Sequence, residues 1–186
     1  MSRSFITKLH LIAAAFMCPA VLMFLVTGGL YTWGNTGEWQ EETVTVDLTA
    51  PYASLDAAGL EQIASAALVG KDIPLPSGAA KAKGEGTEQS LNWSGARSEA
   101  SVAAGADAMT AEVTVKEAGL HRWLVQLHKA KGSTAFKLYA SALAIVLFLL
   151  VLSGLVMGLQ VRAFRRLTIG AGAAGLVAFV GFVLAG

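Results

Sequence analysis

Acidic residues are missing from most of this chain. All thirteen carboxylates fall between Glu38 and Glu117. Segments 9–31, 138–160 and 167–186 contain no Asp, Glu, Lys or Arg at all. Cysteine is nearly absent too. The single Cys18 lies inside the first apolar segment, which excludes an intramolecular disulfide and a thiolate metal set. No HExxH, no GxSxG and no phosphate-cradling glycine loop is present, so the usual hydrolase and nucleotide signatures are excluded. No basic patch of the size nucleic acid requires occurs. Nothing sets a nucleophile beside a base, and a non-catalytic role is expected.

What the chain does have is apolar length. Hydrophobic residues make up 54% of it and the mean hydropathy is +0.57, beyond an ordinary soluble domain. A helix rises ~1.5 Å per residue, so about 20 apolar residues cross ~30 Å of hydrocarbon. Three transmembrane helices are therefore expected, with one polar domain inserted after the first. The expected organisation is a tail and first helix over 1–34, a small α+β domain over 35–118 and an amphipathic connector over 119–135. A second helix over 136–160, an Arg-rich loop over 161–167 and a third helix over 168–186 complete it. Short basic segments stay cytoplasmic. Arg3 and Lys8 before the first helix, and Arg162, Arg165 and Arg166 between the second and third, agree on one topology. It places the N-terminus inside and both 35–135 and the C-terminus outside. The first apolar run is longer than a signal-peptide core and no small-x-small cleavage site follows it, so it is expected to stay as an anchor.

Within the polar segment, 42–48 alternates polar and apolar residues at strand period, and a helix is expected from Ser54 to about Leu68, with Ser54 as its cap. Residues 71–86, with Pro74, Pro76 and many small residues, read as a mobile loop. Short strands are expected at 90–93, 99–103 and 111–115, giving an antiparallel sheet under one helix. Leu120, Trp123, Leu124 and Leu127 repeat at helical spacing, so the connector is expected as an amphipathic helix on the outer membrane surface, with a final strand over 123–127 as the alternative. Gly154 and Gly158 form a GxxxG, and the third apolar run is rich in Gly and Ala. Small residues allow close helix approach, so the second and third helices are expected to pack together, or else to meet another subunit.

The run from Trp123 to Gly132, the Phe136-Lys137 start of the second helix and its Leu152-Ser153-Gly154-Leu155 segment resemble the PepSY-associated transmembrane family. So do the Lys8-Leu9-His10 start and Thr27-Gly28-Gly29-Leu30 end of the first helix. The Ser54-Leu55-Asp56 helix start and the strands after it are similar to a PepSY domain. The resemblance covers nearly the whole chain. It implies a bacterial inner-membrane protein with a PepSY-like periplasmic domain, and a protein-binding role proposed for such modules. Larger relatives with four or more membrane helices include haem-containing reductases for iron-siderophore complexes; this chain is shorter, with three.

By that resemblance His10 and His128 sit where histidine recurs, and His is the usual axial ligand of b-type haem. The rise along the first helix separates their levels by ~30 Å, so they cannot share one iron. His121 and His128 are seven residues apart, about 10 Å along a helix, too far for a common ligand site. Two arrangements would supply a second ligand: Met157 beside His10, or His10 or His128 meeting its equivalent in a second copy. The leading expectation is a membrane protein without a cofactor, in contact with lipid and with a protein partner or a second copy of itself. The alternative is a haem-b electron-transfer or reductase subunit linked to iron uptake.

Overall fold

The computed structural model describes residues 3–186. Three helices are long and apolar enough to cross a membrane: Ser4–Thr32, Thr134–Gln160 and Arg162–Ala185. They belong to helices α1 (Arg3–Thr32), α4 (Thr134–Gln160) and α5 (Arg162–Ala185). The share of each span buried inside the protein is 11%, 6% and 0% in that order. With so little protein cover, lipid is the surrounding that suits these surfaces. The chain divides into two compact units, one formed by residues up to Val21 with Ser141–Gly186, the other by Leu22–Ala140.

In the first unit, α1 and α4 run antiparallel: Thr7 meets Met157 and His10 meets Ser153. Met17, Ala20 and Leu143 are buried there. Helix α5 contains no buried residue. Gly170, Gly172, Gly175 and Gly181 have nothing beside their Cα hydrogens among the described residues, so these small residues of the third helix do not pack on the second, and the close approach between the two helices is at Gly158. Gly154 and Gly158 do not share a partner: Gly154 lies against His10 of α1, and Gly158 against Thr168 of α5. The Arg-rich loop is not a loop either. Only Val161 separates α4 from α5. Arginine is a good helix former, and Arg165 Nε donates to the Leu159 carbonyl at 2.9 Å, occupying an acceptor at the end of α4.

In the second unit a five-stranded antiparallel sheet has the order β1-β5-β4-β3-β2. Its strands are β1 (Trp39–Asp47), β2 (Ala80–Lys83), β3 (Ser90–Ser94), β4 (Ser98–Ala104) and β5 (Thr110–Ala118). Helix α2 (Ala57–Gly70) covers one face. Its Leu60, Ala64 and Leu68 are fully buried against Leu91, Trp93, Val102, Val113 and Val115. These alternate along their strands with polar residues such as Asn92, Thr114 and Glu112 on the opposite face, as a sheet with one dry side requires. Asp56, not Ser54, caps α2: its Oδ1 accepts from Gly59 N at 2.8 Å. Ser54 instead closes the preceding 3-10 turn by donating to Pro51 O at 2.7 Å. The segment expected as a mobile loop contains β2, which pairs with β3 along Ala80–Lys83. Alanine and lysine are poor strand formers, and only the free edge of β3 makes them extended.

The connector folds as helix α3 (Leu120–His128), as its spacing predicts. Its Val125 and Gln126 are each 1% exposed, and Gln126 Nε2 reaches Glu99 Oε1 of β4 at 3.5 Å. Lys131, just beyond it, reaches Glu99 of β4 at 2.9 Å, and Arg97 lies 5.6 Å over the Trp123 ring.

Candidate functional site

Each of two histidines is held in the same way. His128 Nδ1 is 2.9 Å from Thr27 Oγ1, and Thr27 donates its hydroxyl proton to the Met23 carbonyl at 2.7 Å. His10 Nδ1 is 2.8 Å from Ser153 Oγ, and Ser153 donates to the Leu150 carbonyl at 3.0 Å. A hydroxyl has one proton and two lone pairs. With that proton given to the carbonyl one turn back, its oxygen accepts from the imidazole, so the proton of each neutral ring sits on Nδ1. Nε2 then keeps its lone pair, free of the hydroxyl that locks the ring.

The residue after each hydroxyl is glycine. A Cβ on Gly28 would come within 3.1 Å of His128 Cε1, and one on Gly154 within 3.9 Å of His10 Cε1. In each socket the hydroxyl fixes the ring's rotation and tautomer; Gly28 also makes room for the edge of His128, whereas at Gly154 a methyl would make only ordinary contact with His10. Thr27 is 2% exposed, and Phe24 adds a tilted ring contact with His128 at 4.8 Å between centroids. His10 borders an apolar groove of about 350 Å³ lined by Ile6, Leu9, Ala13, Val146, Leu149 and Ser153.

Met157, the sequence-based candidate to pair with His10, accepts from Thr7 Oγ1 at 3.5 Å, while His10 bonds Ser153 one turn away. The two side chains are therefore engaged with different partners. His121 lies on α3 and belongs to neither socket's hydrogen bonds, with its Nε2 buried and unpaired among the described residues. Among the described residues no three His, Cys, Asp or Glu side chains gather as a metal cluster. Thr27 and Ser153 are the residues that sequence reasoning passed over. Their signal was present as the only two Ser/Thr-Gly dipeptides in the charge-free apolar runs, Thr27-Gly28 and Ser153-Gly154. Their meaning depends on which histidine faces them.

Residues 7–182 match the family described as PepSY-associated TM region. The chain belongs to that family. Membership agrees with the three apolar helices in making this a membrane protein associated with PepSY domains. No curated protein and no solved structure matches. Both sockets lie inside the span of this PepSY-associated TM region, as do Met157, Gly154 and Gly158.

Proposed function

We propose that this protein is a membrane-embedded electron carrier in which His10 and His128 would each hold a b-type haem through Nε2. The observation that carries the reading is that both rings are anchored in the same way, each Nδ1 on a helix hydroxyl that itself donates to a carbonyl. Ligating histidines characteristically donate their other ring N–H to a fixed acceptor, which sets the tautomer and raises ligand basicity. Thr27 and Ser153 are such acceptors. The donor set fits as one histidine nitrogen from each socket, and the same residue of a second copy would supply the second nitrogen. Haem, when bound, supplies one-electron redox chemistry. The residues of this chain hold the rings, fix the proton on Nδ1 and, around His10, surround the site with apolar side chains.

The test is a reduced-minus-oxidised visible spectrum of the full chain, purified in mild detergent from haem-replete cells. A sharp α-band is expected, and His10→Ala and His128→Ala should each remove about half of it. A featureless spectrum sinks the reading. Ser153→Ala should keep the haem but raise the midpoint potential. The lost hydrogen bond, about 0.5–1.5 kcal/mol, corresponds to roughly 20–65 mV for one electron.

A second reading is favoured by the sheet domain. It treats the domain as PepSY-like, placed on the outer face of the inner membrane by the basic segments at both cytoplasmic ends, and presented to a protein partner without catalysis. The observation in its favour is the unpaired outer edge of β1 at the end of the sheet, since an open edge is a template for pairing. Gentle crosslinking in cell membranes should capture a partner through this domain. Recovery of the uncrosslinked chain alone would count against it.

A further inference from the structure

The outer edge of β1 borders a groove. Among the described residues strand β1 pairs only with β5, at the end of the sheet, so one side of its nine-residue backbone has no strand neighbour there. On the helix-covered face beside that edge, α2 does not close over the strand. An opening of about 560 Å³ is left, lined by Val44 and Val46 of β1, by Gln62, Ile63, Ala66, Ala67 and Gly70 along α2, and by Lys71, whose charge is matched by Glu42. Val44 and Val46 face the core yet remain only partly buried. Small residues on the helix wall set the groove's width. The trough therefore offers two unmet demands along one line: unpaired peptide groups at the rim and apolar surface beneath.

We propose that this edge and groove bind an extended segment of another polypeptide, apolar at alternate positions and basic at its ends. An extended chain meets both demands together. Its backbone pairs with β1, and every second side chain points into the groove, because side chains alternate across a strand. A helix or a small molecule would leave the strand's peptide groups unpaired. Charge sets the ends. Glu38, Glu41, Glu42 and Asp47 lie on or beside β1. Against these four carboxylates stand two lysines, Lys116 at 2.6 Å from Glu41 and Lys71 at 2.5 Å from Glu42. Glu38 and Asp47, at the two ends of the strand, are the carboxylates these lysines leave unmatched, and they favour Lys or Arg in the incoming segment. The proposal rests on reading the sheet domain as a protein-binding module and does not depend on the histidines.

The test uses the full chain in lipid nanodiscs and a fluorescent peptide of about nine residues, alternating valine and threonine with lysine at both ends. Saturable binding is expected, weakened at least ~tenfold by Ala66→Trp, which fills the groove from an exposed helix position. Val44→Glu should weaken it similarly. Asn92→Ala, on the other face of the sheet, should leave it unchanged, and a fully N-methylated twin of the peptide should not bind. Unchanged far-ultraviolet dichroism of the Ala66 variant separates blocking from misfolding. Absence of saturable binding, equal binding of the N-methylated twin, or insensitivity to Ala66→Trp overturns the proposal. The last outcome, with crosslinked partner still captured in membranes, would leave the domain a protein-binding module and move the surface elsewhere. Failure of both would mean that Glu41 and Glu42 only guard the edge against aggregation.

Discussion

Thr27 shows what one side chain does in each direction: its proton goes to Met23 O and its lone pair receives His128. Replacing it with valine keeps the volume and removes the acceptor. Imidazole 15N resonances should then lose the pure Nδ1–H pattern for His128 while His10 keeps it, and an unchanged pattern would refute the socket. The glycines make a finer contrast. Gly28→Ala would put a methyl 3.1 Å from the His128 ring and should displace it by a few tenths of an ångström, whereas Gly154→Ala, at 3.9 Å, is ordinary contact and should be silent. In the sheet domain Tyr52 is 1% exposed and donates to Gln89 O at 2.8 Å. Burial raises its phenol pKa above the ordinary 10.0. The folded state then holds this proton more tightly than the unfolded state. The resulting stability is present in full below pH ~10 and is lost as pH rises through the raised folded value, by up to ~1.4 kcal/mol per unit. Tyr52→Phe should cost about 0.5–1.5 kcal/mol at neutral pH through the lost hydrogen bond and should flatten the alkaline decline. Urea unfolding at pH 8 and pH 11 measures both.

At the scale of elements, the sheet domain is one helix on one sheet, and its weak points are where local signals were faint. The cap of helix α2 lies two residues later than Ser54 because Asp56 reaches Gly59 N. Asp56→Ala should destabilise the domain by about 1 kcal/mol, whereas Ser54→Ala should cost less, since Ser54 only closes a surface turn. Thermal unfolding of the two variants ranks them, and the reverse order would assign the cap to Ser54. The strands with alternating Val were legible in the sequence, because period two against a dry face leaves a readable pattern. Strand β2 was not, since Ala80–Lys83 has no such pattern and is extended only through β3. Helix α3 was legible as amphipathic. Its buried Val125 and Gln126, and the nearby reach of Lys131 to Glu99, show it packed on protein, where periodicity alone suggested a lipid surface. An apolar stripe does not say what covers it.

For the whole molecule, the basic residues at the start of α1 and at the start of α5 make a prediction about orientation. In intact cells bearing a Cys18→Ser background, a cysteine at Ala79 in the sheet domain should react with a membrane-impermeant maleimide. One at Ala163, between Arg162 and Phe164, should react only after the membrane is opened. The opposite pattern would invert the topology and with it the outer-face placement of the domain. Chain-wide hydropathy and charge segregation determined membrane residence, the number of long apolar helices and the existence of one polar α+β insertion, because each is a sum over many residues that no single contact can overturn. Tertiary structure alone decided that Thr27 and Ser153 are the partners of His128 and His10, that Gly154 and Gly158 face different helices, and that β1 is left with an open edge over a groove. These are pairings between residues far apart in the chain. A helical or strand period records which face a residue occupies, but not what stands opposite it.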